Sequence, residues 1–307
     1  MLLIQMRASK KLNINRLNDI ISPYKWLIPS AVLFAIFLLY PIIFSFVISF
    51  FKWSGYTPSS FENFVGLKNY IHLFTDMFVW KSFRNTIFLV ISVVVFQNII
   101  ALFLALVIFF GKFKFDNLIR AIFFFPVIMS AVVVGLVFCK FFQIDGAVNQ
   151  FLEVIGLSKL TQAWLVNPNL NIWIISFVGV WSWTGFNLVI FYAGLQSIDK
   201  NLLEAAFIDG ATLTRSITAV VIPLLKPIIF LCALLNFIGG FKVFDLVWVM
   251  TNGGPAHSSD VLTTYMYYQS FQTLGPNNMG YGATIAMLMV VVVLIFSVIR
   301  WKFTVKQ

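Results

Sequence analysis

Eleven carboxylates, two histidines and two cysteines are the side chains in these 307 residues best suited to ligate a metal, and they are few. His72 and His257 have no cysteine or second histidine at ligand spacing, so no metal site is expected. Cys139 and Cys232 fall inside apolar runs, where a free thiol behaves as a small hydrophobe. No combination of these residues meets the spacing of a nucleophile or metal-assisted site, so no catalytic residue and no enzyme activity is assigned. A Gly-x-x-x-x-Gly-Lys-Ser/Thr phosphate loop is missing as well, and the chain is not expected to hold ATP or its Mg²⁺ itself.

Two other groupings of polar residues remain. One is the stretch from Asp199 to Pro227, where Asp199 can cap a short helix over Asn201 to Ile208 and Gly210 can take the positive φ that ends it. Thr212 then caps a second short helix, which Pro223 is expected to break. The first helix sets Leu203, Ala206 and Phe207 along one side, with Glu204 and Asp209 available to basic partners. Small residues at Ala205, Ala206, Gly210 and Ala211 permit close approach by another protein. Such a helix suits either docking into a partner's groove or capping a bundle.

The other grouping lies within apolar runs, where polar side chains are costly and therefore functional candidates. Gln97, Asn98, Trp181, Trp183, Asn187, Asn236, Phe237, Gly239, Gly240, Lys242 and Asp245 belong to it. Trp183 with Asn187, and Asn236 with Gly240, are four residues apart and share helix faces. Aromatic planes beside amides suit a sugar, whose C–H face packs on rings while its hydroxyls seek donors and acceptors. The competing role is structural, with Asn236 bonded to another helix and Gly239-Gly240 allowing close packing. Lys242 and Asp245 are expected to neutralise each other on one helix face.

The elements that must position these residues are set by composition. With 60% apolar, 18% aromatic and only 10% charged residues, the chain departs far from soluble domains, and its solvent is lipid. Six apolar runs of about 20 residues can cross a hydrocarbon core of roughly 30 Å: Trp26 to Phe50, Asn85 to Phe110, Ala121 to Phe142, Ile172 to Leu195, Ile228 to Met250 and Gly280 to Val298. All must be helices, because lipid offers backbone groups no partner. The first 25 residues and the tail 300–307 flank a single membrane domain over 26–299.

The net charge of +10 does not point to nucleic acid, since the basic residues cluster at the ends of apolar runs rather than in a stripe interleaved with aromatics. Placing both termini in the cytoplasm puts 14 of the 21 basic residues on the inner side, as the positive-inside rule requires. Outer segments Phe61 to Phe74 and Ala147 to Ile155 carry apolar residues at helical spacing and are expected to lie on the membrane surface, as a lid or as simple packing.

Glu204-Ala205-Ala206, Gly210 four residues on, Val220 and Ile222-Pro223 resemble the EAA motif of permease subunits in binding-protein-dependent ABC importers. The family pattern has Leu where Ile222 stands and often Pro where Asp199 stands; neither departure threatens the short helix. Phe64-Val65-Gly66-Leu67-Lys68-Asn69-Tyr70 with Asn85-Thr86, Gly146 with Asn149, Ala193-Gly194-Leu195-Gln196, and Phe244-Asp245-Leu246 leading to Thr251-Asn252-Gly253-Gly254-Pro255 extend the resemblance to MalF-type carbohydrate permeases. The resemblance implies an all-α integral membrane protein of the type I ABC importer (MetI-like) fold, with six transmembrane helices and a cytoplasmic coupling helix.

It further implies that Glu204, Ala205, Ala206, Asp209 and Gly210 contact an ATPase, and that Trp183, Asn187, Asn236, Phe237 and Gly240 face the solute. The implied partners are a second homologous permease, two ATP-binding subunits holding ATP and Mg²⁺, an extracytoplasmic solute-binding protein and the lipid of a bacterial inner membrane. A sugar or oligosaccharide is the implied cargo, with glycerol phosphate or another polyol as the alternative. An ion-coupled secondary transporter is the rival class; it would call for paired intramembrane carboxylates, and only Asp245 stands deep in an apolar run.

Overall fold

The computed structural model describes residues 26–56, 61–111, 113–272 and 278–304. The N-terminal segment 1–25 and the end of the tail, 305–307, lie outside the described residues. Helices account for nearly all regular structure; the described residues add one isolated bridge, between Phe51 and Phe64.

Five continuous helices are long and apolar enough to cross a membrane: α1 (Ile28–Ile48), α3 (Met77–Gly111), α7 (Asn171–Gln196), α9 (Leu213–Phe241) and α12, which crosses over Met279–Val298 and continues to Thr304. The sixth crossing is a bent pair, α4 (Asp116–Ile128) and α5 (Ala131–Phe141), which meet at 94°. Shorter helices are α2 (Lys68–Thr75), α6 (Ala147–Val154), α8 (Lys200–Ile208), α10 (Asp245–Thr251) and α11 (Leu262–Phe271). The expected surface segments are thus helical at α2 and α6. Span α3 begins eight residues before Asn85, because Asp76 caps it by accepting the Phe78 N–H at 2.8 Å.

Two expected spans are not continuous. The run from Ala121 to Phe142 breaks at Met129-Ser130: Pro126 weakens the ladder just ahead, and the Ser130 hydroxyl starts a new helix by accepting the Val132 N–H at 3.3 Å. The run from Ile228 to Met250 breaks at Lys242–Phe244, where the Thr263 hydroxyl of α11 donates to the freed Val243 carbonyl. Both halves after the breaks, α5 and α10, pack on each other: a Cβ on Gly135 would come within 3.0 Å of Val249, and Cys139 lies 3.5 Å from the Met250 carbonyl. The expectation that Lys242 and Asp245 pair on one helix face is corrected by this break. Both are exposed, and the described residues contain no ion pair between them.

Proline is absorbed rather than obeyed elsewhere. Pro223 does not end the helix that begins at Leu213; a π turn over Ile217–Val221 precedes it, and α9 runs on to Phe241. An identical arrangement, a π turn over Ala35–Leu39 followed by Pro41, keeps α1 continuous. In each case the carbonyl four residues before the proline, which the ring would strike, belongs to the widened turn.

Buried α7 forms the axis, packed against α3, α4 and α9. Its Gly185 abuts the Phe123 backbone of α4 so closely that a Cβ has no room. Leu188, Phe191 and Leu195 continue into a cluster with Ala101, Val221 and Leu225 at one end of the bundle.

Candidate functional site

Three constructions carry polar chemistry. At the end of the bundle where α8 lies, this helix is closed on both sides by local bonds. Asp199 accepts the Asn201 N–H at 3.0 Å. After the helix, Gly210 adopts φ +79° while its N–H reaches the Phe207 carbonyl at 3.0 Å and that of Ala211 reaches Ala206 at 2.9 Å, a Schellman motif. Thr212 then accepts the Arg215 N–H at 3.3 Å and starts α9. Leu203 is buried in the cluster at this end and fastens α8 to the bundle, so it does not share the outward side with Phe207. Glu204, Ala205, Asp209 and Gly210 are exposed, Ala206 partly so, and beside them Phe207 and Ile208 present bare apolar surface, Ile208 at 85% exposure.

Midway along the bundle lies a cleft of about 440 Å³ between α3, α4, α7, α9 and the start of α10. Trp183, Asn236 and Gly240 line it, with Gln97, Gly239 and the break residue Lys242. Gln97 donates to the Trp183 carbonyl at 3.1 Å and to the Asn236 side-chain oxygen at 3.2 Å, and Asn236 reaches the Val93 carbonyl at 3.5 Å. That carbonyl and Gln97 both belong to a π turn, Val93–Gln97, which opens the α3 ladder beside the cleft.

Asn187 and Phe237 lie outside the cleft lining. Asn187 is fully buried and donates to the Asn98 side chain at 3.3 Å, an interhelical tie. Phe237 stacks on Phe296 of α12, ring centroids 3.6 Å apart. Of the two glycines, Gly240 abuts Val90 of α3, whereas a Cβ on Gly239 would meet nothing within 4 Å. Gln97, a candidate from sequence only as an intramembrane polar group, thus belongs to the cleft through its bond to Asn236, 139 residues away, for which no local signal exists.

At the opposite end of the bundle, the loop after α10 is pinned from several sides. Asn85 donates to the Ser258 and Asp260 carbonyls at 2.8 and 2.9 Å, and Asn171 to the Gly254 carbonyl and Ser258 hydroxyl at 3.1 and 2.6 Å. Asp260 holds His257 Nδ1 with one oxygen and accepts the Thr264 hydroxyl at 2.8 Å with the other. Burial pushes the Asp260 carboxyl up from its ordinary value, with the His257 and Thr264 hydrogen bonds opposing the shift. Asn252, Ala256 and His257 all adopt positive φ, between 47° and 57°.

Residues 82–303, most of the chain, match the family described as "Binding-protein-dependent transport system inner membrane component". The chain belongs to this permease family. Full-length relatives agree. The permease is 32% identical over 286 residues to the probable ABC transporter permease protein YurN of Bacillus subtilis, covering 92% of this chain and 96% of that one. It is 30% identical over 298 residues to the lactose transport system permease protein LacF of Rhizobium radiobacter, covering 96% and 98%. The fold of the permease matches a crystal structure of a bacterial ABC transporter involved in the import of the acidic polysaccharide alginate, with TM-score 0.78 and 23% identity over 98% of this chain and 99% of that one. It is therefore an ABC-importer permease fold, embedded in a membrane by its apolar helices.

Proposed function

We propose that this permease, with a second homologous permease, forms the membrane path for a sugar or oligosaccharide brought by an extracytoplasmic binding protein. Two ATP-binding subunits that hold ATP and Mg²⁺ drive it from the cytoplasmic side of a bacterial inner membrane. The carrying observation is α8: a helix locked at both ends, fastened by Leu203, with Glu204, Ala205, Asp209, Gly210 and the apolar Ile208 turned away from the bundle. A solvated cap has no use for such an edge. The cargo class follows the relatives, which include a lactose permease and an arabinooligosaccharide permease of Bacillus subtilis at 32% identity. Aromatic Trp183 and amides Gln97 and Asn236 at one cleft suit that cargo.

Coupling would be mechanical. Thr212 joins the α8 unit directly to the 29-residue α9. A push on α8 is thereby carried roughly 40 Å to Asn236, Gly239 and the break at Lys242, where the cleft lies. Alternating access follows when ATP binding draws the two ATPases together and hydrolysis releases them.

Gly210→Pro tests the coupling. Proline requires φ near −65°, not +79°, and disfavours the helical ψ of Asp209 before it. The variant is expected to insert normally, to lose co-purification with the ATPase and to lose ATP-dependent uptake in proteoliposomes; wild-type uptake by it would end the assignment.

A further inference from the structure

A second, smaller pocket of about 180 Å³ lies beyond the cleft, lined by Trp248, Asn252, His257, Asp260, Tyr268 and Gln272, with the glycine turn between. Its polar groups behave unlike their neighbours. In the surrounding loop Asn85, Asn171, Ser258 and Thr264 all spend their hydrogen bonds on protein. Around the pocket, the Trp248 indole N–H, the Tyr268 hydroxyl and the exposed side-chain amides of Asn252 and Gln272 have no protein partner among the described residues and face solvent, free to exchange water for a ligand. His257 is oriented by Asp260 through Nδ1, which leaves Nε2 for another partner. Asn252 is the left-handed cap of α10, while Ala256 and His257 hold positive φ in a loop whose neighbours Gly254, Ser258 and Asp260 are fastened by Asn85 and Asn171; such backbone strain collects at binding sites.

The pocket is smaller than the roughly 300 Å³ of sites that enclose drug-sized molecules, which suits a single ring. Its walls combine two aromatic side chains with two open amides and an oriented imidazole, the chemistry a neutral polyhydroxylated ring demands. Helix α10 joins it to the cleft, since Phe244 and Asp245 at one end line the cleft and Trp248 lines the pocket. With seven residues, α10 spans roughly 10 Å.

We propose that this pocket is an outer subsite for one sugar ring, occupied before the ring passes along α10 into the cleft. Trp248 and Tyr268 supply the apolar wall, and Asn252, Gln272 and His257 bind the hydroxyls. The proposal rests on the sugar reading above and adds a binding step to it.

The test is saturation-transfer-difference NMR on the complete importer in lipid nanodiscs without binding protein, using lactose, maltotriose and arabinobiose in turn. Asn252→Gly keeps the left-handed turn and removes only the amide; combined with Gln272→Ala it is expected to weaken the best-binding sugar by about tenfold, the loss of one to two hydrogen bonds. Trp248→Leu should leave only the signal that the cleft contributes, Asn236→Ala should remove the cleft's share and leave the outer one, and the combination should abolish both. Unchanged signals in the outer variants with loss in Asn236→Ala would overturn the subsite while keeping the sugar reading. Wild-type importer that saturates none of the three sugars would also overturn it, and ATP-dependent uptake of the same sugars then judges the sugar reading separately.

Discussion

At the scale of single residues, Asp76 ties three helices together outside the cleft. One oxygen caps α3 through the Phe78 N–H, and the other accepts the hydroxyls of Tyr265 in α11 and Tyr281 in α12 at 2.8 and 2.7 Å. Both tyrosines are almost completely buried, and burial together with the Asp76 carboxylate pushes Tyr265 up, which keeps its phenol a donor. Removing the acceptor strands two buried hydroxyls, each costing about 1–3 kcal/mol, and removes a helix cap worth about 1 kcal/mol. Asp76→Ala is therefore expected to destabilise by about 3 kcal/mol or more. Adding Tyr265→Phe and Tyr281→Phe removes the stranded groups, so the triple variant should melt above Asp76→Ala in a thermal unfolding series of the purified protein. A triple variant melting lower than the single one would show that the hydroxyls matter chiefly through partners other than Asp76, such as Gln269, which donates to the Tyr265 hydroxyl at 2.8 Å.

Element by element, the two neighbouring glycines of α9 separate packing from passage. Gly240 faces α3, where a Cβ would stand 2.8 Å from the Val90 methyl and 3.2 Å from its Cα. Val90 is β-branched and cannot swing aside, so Gly240→Val should cost about 1–3 kcal/mol of stability by overpacking. Gly239→Ala meets open space, and should leave the melting temperature level or slightly raised, by the roughly 1 kcal/mol that alanine gains over glycine in a helix. Melting curves of the pair check this; equal destabilisation would mean that both glycines pack. The sequence conveyed much of this architecture. Six apolar runs announced six crossings, and Asp199, Gly210 and Thr212 announced the capped α8, because caps are local chemistry. The breaks at Met129 and Lys242 stayed hidden, since both halves of each run are equally apolar and hydropathy does not register direction. Pro223 misled for a related reason: a π turn removes the clash without leaving any mark on composition. In the cleft, Trp183, Asn236 and Gly240 were legible as polar or small groups in lipid, but which face of α7 meets the cleft was not. Asn187 turned out to answer Asn98, a partner 89 residues away.

For the whole molecule, what matters is which surfaces remain uncovered and on which side of the membrane. Helix α1 buries only Ile48 of its own length, so nearly all of it is available to lipid or to a second permease. Two apolar residues outside the spans are equally bare, Val154 at the end of α6 and Ile208 at the end of α8, both 85% exposed. With both termini in the cytoplasm, as the positive-inside rule leads one to expect, Val154 would lie outside and Ile208 in the cytoplasm. Single cysteines at these positions, in a background where Cys139 and Cys232 are replaced by alanine, convert that assignment into a labelling experiment. A membrane-impermeant maleimide applied to intact cells should modify Val154→Cys and spare Ile208→Cys, and inside-out vesicles should give the reverse. Within the vesicles, assembly with the ATPase subunits should shield Ile208→Cys, because docking covers the α8 edge. Labelling of Ile208→Cys from outside would invert the topology; equal labelling with and without the ATPase would instead place the docking surface elsewhere. The two failures are separable, because the expected orientation rests on the basic residues flanking the crossings and the proposed docking on the short capped helix alone.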